Sequence, residues 1–189
     1  SNGENPKDGC WKNFLTEFAF NYAKERVNPE NKKPYETIES DRLFNNLLSS
    51  QPMAFNLFCP LRQMREESPE IATKVIKAAL PSYSIHEVTD VDLEFIPENY
   101  KDLTGDKSAM DAIIRFEDEQ GKGGFIAVET KYSENLGTNV AYDRDENGKK
   151  IPRAKSIEAV KKLQCFTPDV EKRIMEGSTP LTQIYRNFL

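Results

Sequence analysis

Glu129 and Lys131 close the apolar run 125–128, and their types and spacing are the most suggestive of chemistry in this chain. In an extended segment successive side chains face opposite ways, so Glu129 and Lys131 share one face while Val128, Thr130 and Tyr132 share the other. Upstream, in the apolar run 110–116, Asp111 shares a face with Ile113 and Arg115. The polar, glycine-rich stretch 117–124 between the two runs suits a hairpin turn. A turn centred on Gln120 sets Asp111 opposite Glu129, whereas one centred on Gly121 sets it opposite Lys131. In either register three polar groups meet on one surface among apolar neighbours. Two carboxylates about 5 Å apart across a strand pair repel and cost stability. A chain tolerates that where a divalent cation sits between them, and hard oxygen donors suit magnesium. A metal there lowers the pKa of a bound water and stabilises charge on a transferring phosphoryl group. Lys131 would orient that water or help to deprotonate it. The chemistry so assembled is phosphodiester hydrolysis. The plain alternative is a surface salt bridge, since Glu-x-Lys triplets arise by chance in charged proteins.

The elements that must hold these groups are legible from periodicity. Trp11, Phe14, Leu15, Phe18, Ala19 and Tyr22 follow the spacing of one buried helix face. A polar connector around Asn28-Pro29 follows. A second helix is predicted from Ser40-Asp41, with Leu43, Phe44, Leu47 and Leu48 inward. The apolar stretch 49–58 retains Gln51 and Asn56, either to satisfy buried backbone groups or to orient substrate. Ser68-Pro69-Glu70 signals another helix start, with Ile71, Val75, Ile76, Ala79 and Leu80 on its inner face. The period then changes, and strands are predicted over 84–95, 110–116 and 125–132. Asp145-Glu146-Asn147-Gly148 reads as a loop tip, Ser156 as the cap of a further helix, and Thr179-Pro180 as the start of a last one. His86 lies in strand-like sequence and reads as structural.

Composition removes several classes of function. Of the 189 residues 38% are hydrophobic and 30% charged, which fits a soluble globular chain rather than long disorder, collagen or a coiled-coil rod. With 31 acidic against 26 basic residues the net charge is −5, which argues against a nucleic-acid coating protein. An enzyme touching nucleic acid through a local basic surface stays compatible, and Lys149, Lys150, Arg153, Lys155, Lys161 and Lys162, set against Glu158, offer such a surface. A single histidine excludes His-rich zinc sites, Ser-His-Asp triads and His-based ribonuclease chemistry. Cys10, Cys59 and Cys165 are scattered and form no CxxC pair, so they read as free thiols in a reducing compartment, the cytoplasm. No apolar run approaches the roughly 20 residues needed to cross a membrane. Ser1-Asn2-Gly3 reads as the scar of a removed tag.

Asp111, a hairpin, and Glu129-Thr130-Lys131 closing an apolar strand resemble the PD-(D/E)XK nuclease superfamily, which has the restriction-endonuclease-like fold. The runs 103–112, 129–134 and 49–58 are similar to a bacterial branch of that superfamily. The resemblance covers residues 40–189 and implies an α/β domain, a mixed sheet flanked by helices, against which residues 1–39 pack as a helical N-terminal arm. It further implies that Asp111 and Glu129 bind a metal, Mg2+ or Mn2+, together with the peptide carbonyl of Thr130, and that Lys131 is catalytic. Gln51 and Asn56 become residues that orient the metal's water or the substrate. Many members carry another acidic residue on a helix before the first strand, for which Glu39, Glu66, Glu67 and Glu70 are candidates by position. The family's fold also continues with a strand after the helix holding Gln183 and Tyr185, which implies a truncated domain or one completed by a partner. The implied partners are nucleic acid, DNA ahead of RNA, and a second copy of the chain, with no membrane. The alternative function is a non-catalytic restriction-endonuclease-like binding module within a larger complex.

Overall fold

The computed structural model describes residues 13–31, 37–103, 107–131, 142–144, 150–152 and 154–175. The chain divides into two units, Ser1–Phe95 with Met110–Ser133 and Ile96–Ala109 with Glu134–Leu189.

The first unit layers helices on an antiparallel sheet. Helix α1 (Glu17–Val27) starts where the Thr16 hydroxyl accepts the Ala19 N–H at 3.1 Å. Leu15 therefore lies outside the helix and is 80% exposed rather than inward; Phe14 and Ala19 are buried as expected, Phe18 and Tyr22 are only half-buried, and Phe20 and Ala23, not expected on that face, are buried. Trp11 lies outside the described residues. Helix α2 (Ser40–Asn45) buries Leu43 but ends too early to carry Leu47 and Leu48 inward, and both are exposed. Helix α3 (Ser50–Glu67) is capped by Ser49, whose hydroxyl accepts the Gln51 N–H at 3.2 Å. Helix α4 (Pro69–Ala79) opens on Pro69 as expected, but it is rotated: Ala72, Thr73 and Ile76 are buried while Ile71 and Val75 face outward. Thr73 fixes that rotation, because its hydroxyl donates to the Pro69 carbonyl at 2.9 Å and accepts the Val88 N–H at 3.0 Å.

Strands β1 (Glu87–Phe95), β2 (Met110–Glu117) and β3 (Gly123–Val128) lie side by side in chain order, both ladders antiparallel. Every pairing among the described residues is antiparallel, and with the helices around the sheet this is the α/β architecture expected. A bulge between Val88 and Asp90 shifts the phase of β1, so that Val88, Val91 and Leu93 are all buried. Two cores result. Phe14, Phe20, Leu43, Phe55 and Leu93 join α1, α2 and α3 to the sheet; Leu61, Ile76, Val88, Val91 and Ile114 join α3 and α4 to it.

Among the described residues β1 is the edge of this sheet, so its outward carbonyls need partners from elsewhere. Arg26 of α1 donates to the Leu93 carbonyl at 2.7 Å and Arg62 of α3 to the Val91 carbonyl at 2.5 Å. Both guanidinium groups also lie over the Tyr22 ring, at 5.7 and 4.8 Å from its centroid. Burial dominates at Tyr22 and pushes its phenol up to about 12, so it stays neutral between them.

In the second unit β4 (Tyr142–Arg144) pairs with β5 (Lys150–Pro152), bracketing the expected loop tip at 145–148, which lies outside the described residues. Helix α5 (Ala154–Leu163) begins two residues before the expected cap, leaving Ser156 buried inside it. Helix α6 (Pro168–Met175), not anticipated from the sequence, packs Ile174 against Val160 of α5. Lys161 and Lys162 are exposed. The helix expected after Thr179-Pro180, with Gln183 and Tyr185, lies outside the described residues.

The β2–β3 turn sets the register on which the site depends. The Asp118 carboxylate accepts the N–H groups of Gln120 and Lys122, both at 2.9 Å, and Gly121 takes the left-handed conformation at φ 73° that favours glycine. The ladder runs from Glu117↔Gly123 to Ala112↔Val128, so the turn centres on Gln120 rather than Gly121. The two N–H bonds favour the ionised carboxyl and hold Asp118 below its ordinary pKa. Their stabilisation is present above the unfolded-state pKa and lost as pH falls through the folded one. Asp118→Ala is therefore expected to lower Tm at neutral pH, with the gap to wild type narrowing in acid. Circular-dichroism melts across that range check it.

Candidate active site

Beyond Val128 the chain leaves the ladder because a side chain takes over from the backbone. The Asp111 Oδ2 accepts both the Thr130 N–H, at 2.6 Å, and the Thr130 hydroxyl, at 2.7 Å. Thr130 is thus drawn toward Asp111, and the strict alternation expected through Tyr132 ends at Val128. The register still places Glu129 next in line opposite Asp111, since Ala112 pairs with Val128. The two carboxylates have different hydrogen-bond partners: Lys131 Nζ donates to Glu129 Oε1 at 2.5 Å. Both side chains of that ion pair are largely buried. Asp111 is 9% exposed, and its Oδ1 accepts no hydrogen bond from a described residue.

The two amides singled out in α3 go to different places. Gln51, 4% exposed, accepts the Glu39 N–H on Oε1 at 3.3 Å and donates from Nε2 to Glu94 Oε1 at 2.9 Å. Asn56 ties down the start of the arm instead, accepting the Leu15 N–H at 2.8 Å and donating to the Asn13 carbonyl at 2.7 Å. The proposed helix acids do not gather at Asp111. Glu66 pairs with Arg62, Glu67 accepts from Gln63, and Glu39 and Glu70 are exposed.

Sequence reading missed Glu94. It falls between the paired Leu93–Ala112 and Phe95–Met110, which sets it opposite Asp111 on the β1–β2 ladder. Its backbone takes φ 50°, a conformation that L residues seldom hold and that clusters at functional sites. The carboxyl receives Gln51 on one oxygen and the Thr37 hydroxyl on the other, at 3.3 Å. Burial is the main cause that raises its pKa, and the Asp111 charge raises it further against the hydrogen bonds from Gln51 and Thr37. The signal was present as Asp90, Asp92 and Glu94 alternating with apolar residues. Asp90 and Asp92 are matched by Arg115 at 2.6 Å and Arg26 at 3.2 Å, whereas Glu94 hydrogen-bonds only neutral groups among the described residues.

Residues 4–189 match the family model of the PD-(D/E)XK nuclease superfamily. The chain belongs to that superfamily. Searches among curated proteins and among solved structures found no significant match. PD-(D/E)XK nucleases typically use a divalent metal. Among the described residues no three Asp, Glu, His or Cys side chains gather into a metal-holding group. Magnesium does not require such a cage, because it is held by one or two carboxylates and keeps several waters. Asp111 and Glu129 offer oxygen donors of the hard kind that such an ion takes. They include Asp111 Oδ1, left available by the clasp on Oδ2.

Two stability outcomes follow from this geometry. Thr130→Val removes one of the two hydrogen bonds to a buried carboxylate and should cost about 1.5–3 kcal/mol by denaturant titration. At Glu94 the folded pKa is raised, so its contribution to stability is greatest below the ordinary glutamate range and is lost as pH rises through the folded pKa. Metal-free Glu94→Gln, which keeps an acceptor for Gln51, should therefore melt higher than wild type at neutral pH. The gap should close in acid.

Proposed function

We propose that this protein is a divalent-cation-dependent nuclease that hydrolyses phosphodiester bonds of nucleic acid, DNA ahead of RNA. The supporting observation is the hairpin register, which sets Asp111 beside the Glu129-Thr130-Lys131 segment in a chain of this superfamily. Asp111 and Glu129, with the Thr130 carbonyl, would hold Mg2+ or Mn2+. Bound there, the cation supplies Lewis acidity at the phosphate and a more acidic water. The chain's own groups do the rest. The Thr130 clasp on Oδ2 fixes the Asp111 carboxylate and leaves Oδ1 to face the ligand. Lys131, held by Glu129, places an ammonium where an anionic phosphate or the attacking water needs a positive charge. Hydrolysis forms a bond from the water oxygen to phosphorus and breaks the bond to one sugar oxygen, which leaves with a proton. A homodimer would let two such sites act on both strands of a duplex.

A second reading, a non-catalytic binding module, is favoured by one observation: the Glu129 carboxylate is bonded to Lys131 at 2.5 Å. Plasmid and single-stranded substrates, with Mg2+ or Mn2+ against EDTA, separate the readings. Cleavage should vanish in EDTA and in Asp111→Asn, and Lys131→Ala should lose about 10²–10⁴-fold in rate. Activity that survives EDTA would falsify the mechanism. A folded protein without cleavage and without a metal-induced thermal shift supports the second reading.

A further inference from the structure

We propose that the second unit grips the sugar–phosphate backbone of duplex DNA through a lysine surface built on β5, α5 and α6. The inference rests on the nucleic-acid substrate proposed above, but not on the metal. Residues 149–162 hold six basic side chains against one acidic, Glu158, in a chain whose net charge is −5. The structure adds a seventh cation to part of that run. Val160 packs on Ile174, which brings the turn carrying Lys161 and Lys162 against the turn carrying Lys172. All three lysines are exposed, and none has an ion pair or hydrogen bond among the described residues. Glu158 is spaced to hold Lys162 across one helical turn but does not pair with it. Other cations of the chain are spent on acids. Arg26, Arg62, Arg115 and Lys131 of the first unit each hold a carboxylate, and Arg173 of α6 is taken by Asp169 at 3.1 Å.

The carbonyl ends of α5 and α6 favour lysines in their last turns. They do not account for the hairpin beside α6, where the β4–β5 register pairs Arg144 directly with Lys150. Like charges at directly paired positions cost stability, and a polyanion laid along the hairpin would offset that cost. The chemistry of the surface also selects its ligand. Lysine is a compact point charge that suits phosphate, and such contacts position a nucleic acid without reading its bases. Single-strand binders add aromatic rings on which bases stack. Here Phe166, the aromatic residue between the two helices, is packed against Val160 and Ile174 instead. What remains is a backbone grip, tolerant of sequence and steeply weakened by salt.

Fluorescence anisotropy of the full chain with a labelled DNA duplex in EDTA, over a salt series, tests this without cleavage. The wild type should bind, with log Kd linear in log salt. Each of Lys161→Ala, Lys162→Ala and Lys172→Ala should reduce the slope by about 1 and weaken binding about tenfold at 0.1 M salt, equally for unrelated sequences. Arginine at the same positions should keep wild-type binding. Lys74→Ala, at an exposed lysine of α4 in the first unit, should leave the slope unchanged. An unchanged slope in the triple alanine variant, an equal loss in Lys74→Ala, or no duplex binding by the wild type overturns the surface. If the triple variant also cleaves with wild-type KM in Mg2+, the nuclease reading stands without it. Salt-dependent binding through these lysines, in a protein that cleaves nothing in Mg2+ or Mn2+, upholds the surface and overturns the nuclease reading alone.

Discussion

Two carboxyl groups held side by side out of water set the terms for the first unit. Glu94 and Asp111 occupy opposed positions on adjacent strands and are nearly inaccessible. At neutral pH that arrangement costs folding free energy, and the cost must be met by the surrounding packing. Two clusters of aromatic and aliphatic side chains do so, from α1 to α3 on one side and from α3 and α4 on the other. Each fully buried Leu, Ile, Val or Phe contributes about 1.5–3 kcal/mol relative to exposure, so a few of them offset one poorly compensated carboxylate.

The same acids are also held in geometry by groups that do not neutralise them. Thr130 supplies two donors to Asp111, and Gln51 and Thr37 supply one each to Glu94. Where neutralisation is harmless, nearer the outer end of the sheet, arginines take over at Asp90 and Asp92. Charge compensation is thus graded along one strand, complete at one end and withheld at the other. The turn at Asp118 and Gly121 sets the register that brings the Thr130 donors to Asp111.

Much of this was readable before any coordinates. The helix start at Pro69 follows from capping chemistry and the antiparallel hairpin from period-two patterning, whereas the choice between Glu129 and Lys131 opposite Asp111 needed the turn geometry. Superfamily membership was carried by the same motif. What failed did so for local reasons. Leu15, Leu47 and Leu48 carry helix spacing but fall beyond caps or ends, and α4 is rotated by the two hydrogen bonds of Thr73, which hydrophobicity does not register. Glu94 was hidden because its importance depends on a β1–β2 register interrupted by a bulge and on a left-handed backbone. Asn56 looked functional because a buried amide has the same appearance whether it serves a ligand or the backbone of residues 13–15.

The arginine caps on β1 bear on how this protein behaves at high concentration. A bare strand edge is a template on which a second chain can lay a strand of its own, the first step toward ordered aggregates. At Val91 and Leu93 the carbonyls such a strand would recruit are already occupied by Arg62 and Arg26, and both guanidinium groups are braced against the Tyr22 ring. An intruding strand would have to strip away two charged donors before making its first bonds. The contacts that fasten the helices to the sheet thereby also act as a guard on colloidal stability.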